Sequence, residues 1–292
     1  MPARVAVVPA VLGGSVHIGR YLAEGIQALG LPVQYVDLSR FAPRMAQLQR
    51  HQPDQIVSFY QQVAGHILGE LQRFGPTVLL AIAQAPLRRP LLDAVRGAGV
   101  RTGFWFVEDC ARFLYWRRQV TWYDHTFVIQ RARIPDVRAV GAPACSYVPL
   151  ACVPRLHRPA PADHPDAAVW GAPIAFMGAP YENRVRLFAQ LADLPCAVWG
   201  GGWDTVRGPA AALVRGGGRT ITDEDEARIY RHARIVLNPH SSPSPRCEEV
   251  RDFVNPRTFA IAGCGALQLV DHRDHLAEHF TPGEELLVFQ KV

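Results

Sequence analysis

Residues 174–191 read Ile-Ala-Phe-Met-Gly-Ala-Pro-Tyr-Glu-Asn-Arg-Val-Arg-Leu-Phe-Ala-Gln-Leu. The apolar run from Ile174 to Met177 has the length and composition of a strand buried on both faces. Gly178 ends it, and apolar residues from Val185 to Leu191 recur at helical spacing. A buried strand passing through a glycine turn into a helix is the opening of a βαβ unit. Downstream the alternation continues with strand Cys196 to Trp199, helix Glu224 to His232 and strand Ile235 to Asn238. A helix around Arg257 to Gly263 and a strand Ala266 to Val270 follow.

Upstream the chain alternates in the same way. Arg4 to Val8, Val33 to Val36, Thr77 to Ala83, Gly103 to Val107, Thr126 to Ile129 and Ser146 to Val148 read as strands. Between them lie an amphipathic helix from Ile18 to Leu29, a long helical stretch from Gln47 to Phe74 and a helix from Pro90 to Gly97. Strands separated by helices of about ten or more residues argue for parallel sheets covered on both faces. Pro154 to Pro173 interrupts the pattern with five prolines and little periodicity, as a linker does. The expected organisation is α/β with two Rossmann-like, doubly wound domains: residues 1–155, a linker at 156–172, and residues 173–292.

The bulk numbers exclude several classes. With 49% hydrophobic and 20% charged residues the chain is an ordinary globular sequence. No apolar run approaches the roughly 20 residues that span a bilayer. The run after Arg4 is too short for a signal peptide, so a cytoplasmic location is expected. The net charge of +5 comes almost wholly from scattered arginine, with Lys291 the single lysine, and no basic stripe points to nucleic acid. The six cysteines form no C-x-x-C pair and read as buried small apolar residues.

In open parallel sheets, ligands bind beyond the carboxyl ends of the strands, so residues just after strands are the candidates. Gly13 and Gly14 follow the first strand and expose backbone N–H groups at a helix start, although a plain βα turn looks the same. His17 shares that turn, as a cleft-facing or a capping residue. Glu108 and Asp109 leave an aromatic strand into a loop, where Asp109 is placed to take a proton or hold an acceptor hydroxyl. Capping of the following segment is the structural alternative.

In the second half, Gly178 with Asn183 and Arg184 is a workable diphosphate clamp, combining helix-start amides with a guanidinium fork. Gly202 and Trp203 follow the next strand in a glycine-rich turn, where the indole either stacks on a base or sugar or packs inward. Asn238 and His240 end a further strand and open a polar loop from Ser241 to Arg246. Asn255 and Arg257 form a second anion-binding helix start. The run Asp271-His272-Arg273-Asp274-His275 lacks the i, i+4 spacing of a zinc helix and reads as a solvated loop, so no metal is expected. Neither a Walker loop nor a G-x-S-x-G elbow is present.

Taken together, these motifs carry a resemblance. Phe106 to Gln130 resembles the N-terminal lobe of the CgeB-type, spore-maturation glycosyltransferase-like family, with its acidic pair and its Tyr-Asp-His-Thr-Phe-Val strand. Phe176-Met177-Gly178 with Asn183-Arg184, Trp199-Gly200 with Gly202-Trp203, and Leu237-Asn238 with His240 follow the family's order. So do Asn255-Pro256-Arg257-Thr258-Phe259 through Ala266, and Phe280 to Glu285. The resemblance implies a GT-B fold with two domains facing across a cleft. It implies a nucleotide-diphosphate-sugar donor, an acceptor of unknown kind, and metal-independent transfer with retention. It makes Arg184 and Arg257 diphosphate ligands, Gly178, Gly202 and Trp203 donor-loop residues, and Asp109 an acceptor-side residue. No separate cofactor is implied.

Two departures stand out. Where related retaining enzymes carry a glutamate for the donor ribose, this chain has Ala260, with Asp252 upstream as the only acid in register. Relatives also continue into helices that pack back across both lobes, so the natural protein is expected to extend past Val292. These departures keep open a catalytically degenerate binding or assembly protein on the same scaffold, and an epimerase-like activity is a third reading.

Overall fold

The computed structural model describes residues 2–161, 164–241 and 251–290. It divides into two compact units, residues 1–149 and 150–292.

The first unit runs β1 (Val5–Val8), α1 (Ser15–Ala28), β2 (Val33–Tyr35), α2 (Ala42–His51), α3 (Ile56–Phe74), β3 (Val78–Ile82), α4 (Arg89–Gly97), β4 (Arg101–Phe106), α5 (Trp116–Gln119), β5 (His125–Val128), α6 (Ile134–Ala139) and β6 (Cys145–Tyr147). Its six strands pair in the order β2-β1-β3-β4-β5-β6, all parallel. Every residue of β1 is buried, as its uninterrupted apolar run requires. Helix α3 buries Phe59, Val63, Ile67 and Leu71, a single stripe at i, i+4 spacing. The long helix expected from Gln47 to Phe74 is two helices. Pro53 lacks a backbone N–H and Gln52 leaves the helical region, with φ −146° and ψ 56°, so the chain breaks before it restarts as α3.

The second unit runs α7 (Ala167–Trp170), β7 (Ala172–Met177), α8 (Glu182–Gln190), β8 (Cys196–Trp199), α9 (Asp223–His232), β9 (Ala233–Asn238), α10 (Pro256–Gly263), β10 (Gln268–Asp271) and β11 (Leu287–Phe289). Its parallel sheet has the order β11-β10-β9-β7-β8. Alternate residues of one strand serve opposite layers. Ala175 packs with Trp199, Ala227, Tyr230 and Ile261 beneath α9 and α10, while Phe176 packs with Phe188, Val198 and Trp203 beneath α8. Each unit is thus a doubly wound, Rossmann-like sheet covered on both faces. In each, the strand order reverses beside the first strand, between β1 and β3 and again between β7 and β9. Such switch points open a crevice at the carboxyl ends of the strands.

The segment expected as a linker at 156–172 is part of the second unit. Arg231 of α9 donates to the carbonyls of Leu156 and Arg158, Asp166 is ion-paired with Arg228, and Leu156 is buried. Proline content signalled the loss of periodicity but not this docking. Cys110, Cys145, Cys196 and Cys264 are buried free thiols and Cys152 is half-buried, while Cys247 lies outside the described residues. Among the described residues no helix is long and apolar enough to cross a membrane.

Candidate functional site

The switch point of the second sheet is built around Gly178, at a φ of 154°. A Cβ there would lie 2.9 Å from Arg257 Nη2 and 3.3 Å from Arg184 Nη1, so two guanidinium groups close on a bare Cα. Arg184 enters from the first turn of α8. Its Nε and Nη2 donate to the Pro239 carbonyl at 3.1 and 3.0 Å, and its Nη1 donates to the Ala179 carbonyl at 3.1 Å. It therefore staples the turn after β7 to the chain leaving β9. Arg257 comes from the first turn of α10 and donates from Nη1 to Asn238 Oδ1 at 3.2 Å. Both guanidinium carbons stand 5.2 Å from the Phe176 ring centroid, within cation–π range.

Among the described residues no carboxylate pairs with either arginine. Arg184 is only 3% exposed, and its burial together with the neighbouring Arg257 charge pushes its guanidinium well below the ordinary pKa. Two like charges at low dielectric, with no carboxylate in contact among the described residues and Asp271 acting only from a distance, create a positive potential that an anion would relieve.

Beneath them lies a polar network. Asn238 is fully buried, donates to Thr258 Oγ1 at 3.0 Å and to Gln268 Oε1 at 2.9 Å, and accepts from Asn255 Nδ2 at 3.0 Å. Asn255 caps α10 by accepting the Thr258 N–H at 3.0 Å. His240 is equally buried, with Nδ1 2.6 Å from Asp271 Oδ1. Its Nε2 accepts the Asn255 backbone N–H at 2.9 Å, which places the ring proton on Nδ1 and keeps the imidazole neutral. Burial pushes its pKa down to about 4, against the opposing pull of Asp271. Burial would raise Asp271, but the His240 donors and Arg273 outweigh it, so this carboxylate stays ionised below the usual range.

The structure therefore brings Gly178, Asn183, Arg184, Asn238, His240, Asn255 and Arg257 to one switch point, in different roles. Asn183 donates to the His240 carbonyl at 2.8 Å. Arg257 is the half-buried cation, whereas Asn238, His240 and Asn255 form the scaffold that aims it. Trp203 corrects the stacking reading. It is 1% exposed, lies edge-on to Phe176 and Phe188, and donates from Nε1 to the Gly178 carbonyl at 2.7 Å, leaving no ring face for a base. A Cβ on Gly202 would lie 3.4 Å from Pro180, in the turn after β7. Most of the polar loop from Ser241 to Arg246 lies outside the described residues. The residues that sequence reasoning missed are Gln268, Thr258 and Asp271. A glutamine inside an apolar strand and an aspartate at its end were the available signals.

The histidine-rich run after β10 is no solvated loop throughout. Asp271 holds His240 and Arg273, and His275 is 2.9 Å from Asp252 and 2.7 Å from Glu278. Among the described residues one group, His164, Asp166 and His232, brings three metal-capable atoms within 4.8 Å of one another, with Asp166 also paired to Arg228.

In the first unit, Gly13 has a φ of 98° and precedes α1 with Gly14 at its N-cap, both exposed, and His17 is exposed in the first turn. Asp109 accepts the Ala111 N–H at 2.8 Å, the local turn that the structural alternative required. Glu108 is engaged at both oxygens, one by Gln84 and the other by the Tyr115 hydroxyl at 2.5 Å.

Comparison with known proteins matches residues 184–292 to the glycosyl transferase-like family model. The spore protein CgeB of Bacillus subtilis is 23% identical over 219 residues, covering 70% of this chain and 66% of that protein. Among solved structures, sucrose-phosphate synthase from Thermosynechococcus elongatus aligns with a TM-score of 0.63 at 12% identity, over 98% of this chain and 85% of its own. Anabaena HepE, solved in complex with UDP-glucose, aligns with a TM-score of 0.60 at 12% identity, over 99% of this chain and 85% of its own. Likeness at this identity speaks for the fold: two Rossmann-like domains of the GT-B type.

Proposed function

We propose, from this chain's relationship to the CgeB-type glycosyltransferase-like proteins, that it transfers a sugar from a nucleoside-diphosphate sugar to an acceptor hydroxyl. The observation that carries the reading is the pair of guanidinium groups, without a carboxylate partner among the described residues, closing on Gly178 at the second unit's switch point. That a structure of the same fold holds UDP-glucose supports a nucleotide sugar as the donor.

In the proposed reaction the acceptor oxygen bonds to the anomeric carbon as the bond from that carbon to the diphosphate breaks. The nucleoside diphosphate departs with the electron pair, and Arg257, backed by the Arg184 charge, offsets the negative charge that builds on it. This assigns charge stabilisation to arginine and helix-start amides without a metal, and transfer with retention. Asp109 is the candidate for receiving the acceptor proton. Nucleic acid has no part in it.

Ala260 favours a second reading. It is 4% exposed in the core layer with Ala175, Tyr230 and Cys264, so α10 offers no carboxylate at that position for a donor ribose. A degenerate binding protein would hold the nucleotide without turning it over. Incubation of the full chain with UDP-, GDP- and ADP-glucose, followed by assay of nucleoside-diphosphate release, separates the two. Release above the spontaneous rate that Arg257→Ala abolishes supports transfer, and tight binding without release supports the degenerate scaffold.

A further inference from the structure

A second switch point exists in the first unit, and it holds a cavity of about 350 Å³. Its walls come from the segments leaving β1 and β3, together with α2, α3 and the loop entering α5. Met45, Tyr60, Phe113 and Tyr115 give it an apolar and aromatic lining, and Arg88 and Arg118 supply its charge. Among the described residues no carboxylate lines it. Among the described residues neither arginine has an ion pair, although Arg88 lies 5.9 Å from the Tyr60 ring and Arg118 lies 5.5 Å from the Trp122 ring.

The wall is rigidly set. Gln84 is the one non-glycine residue at positive φ among those described, at 65°. That conformation is uncommon outside glycine and is retained where surroundings enforce it. It sends the Gln84 side chain to one oxygen of Glu108 and its backbone N–H toward the Tyr115 hydroxyl, which in turn donates to the other Glu108 oxygen. Glu108 is not among the lining residues and has both oxygens engaged by Gln84 and Tyr115, so Arg88 and Arg118 are the charged groups of the lining.

We infer that this cavity binds the acceptor, and that the acceptor is an organic anion: an aromatic or apolar body carrying a carboxylate or phosphate, read by Arg88 and Arg118. The inference rests on the transferase reading for the word acceptor, but its binding chemistry stands on the cavity alone. Glu108 is a positioning residue for this site.

The test uses the full chain and three two-ring probes. These are 6-hydroxy-2-naphthoate, 2-naphthyl phosphate and the neutral 2,6-dihydroxynaphthalene, with binding followed by fluorescence. At least one anion should bind about tenfold or more tightly than the neutral diol, the advantage expected of a charge-assisted fork. Preference between the first two tells carboxylate from phosphate. Arg88→Gln or Arg118→Gln should remove that advantage while the melting temperature and nucleoside-diphosphate binding stay unchanged. Glu108→Gln should weaken the anion less than either arginine variant. Equal binding of all three probes, no binding by any, or no effect of either arginine variant would overturn the inference. Because nucleotide binding is read separately, its loss or survival reports on the second unit alone.

Discussion

Arg184 and Arg257 bring like charges to the same glycine, but they are held differently, and their substitutions should part company. Arg184 gives three hydrogen bonds to main-chain carbonyls from a nearly closed site. Arg184→Ala leaves the Pro239 carbonyl without its donors and should destabilise the second unit by about 2–4 kcal/mol in chemical denaturation. Arg257 makes one side-chain bond from a half-buried position, so Arg257→Ala should leave stability nearly intact while nucleotide affinity falls tenfold or more. His240 sets a pH dependence. Unfolded, it titrates near ~6.5; folded, at about 4. Between those values the unfolded chain takes up a proton that the folded chain refuses, so stability is lost as pH falls through that window, by on the order of 3 kcal/mol. Asp271, ionised below the usual carboxylate range, adds a further loss in stronger acid. Melting curves from pH 7 to 4 check this, and His240→Gln should flatten the fall. The arginines were legible in the sequence because their type and their place after a strand point the same way. Trp203 was not, since nothing in Trp-Gly-Gly-Gly-Trp says whether an indole faces out or donates inward to Gly178.

The turns after β7 and β8 work as one device. A Cβ on Gly200 would sit 2.4 Å from the Gly178 carbonyl oxygen, and its φ is 135°. Gly200→Ala should therefore cost about 2 kcal/mol or more in urea unfolding and should also weaken nucleotide binding, because it displaces the turn that the guanidinium groups surround. The elements themselves were readable wherever burial imposed a period: apolar runs for the strands and helical spacing for α1 and α3, whereas that spacing alone reads through the break at Pro53 before α3 as continuous helix. The connector defeated that reading. Leu156, Arg158 and Asp166 dock to α9 through carbonyls and an ion pair, and such contacts leave no apolar pattern. Arg231→Ala should free that segment, and limited proteolysis should then cut within residues 156–165 before the sheets open.

Each unit has its own core and its own reversal of strand order, so the molecule carries two crevices of unlike chemistry: a pair of guanidinium groups around a bare glycine, and an aromatic cavity with two arginines. Both follow from a strand order that the two sheets share; the alternating pattern foretold two parallel sheets but not that order, and the chemistry of each had to come from side chains distant in sequence. The chain aligns with 66% of the CgeB sequence, and the matched family region, residues 184–292, lies within the second unit. The most direct test of the account is a thermal-shift and calorimetric titration of the full chain with UDP, GDP, ADP, TDP and CDP, with and without magnesium, beside Arg257→Ala. The account predicts that one nucleotide stabilises the protein by mass action without needing magnesium, and that the variant loses this response while keeping its fold. Binding by none of the five, or binding that Arg257→Ala leaves untouched, would contradict it.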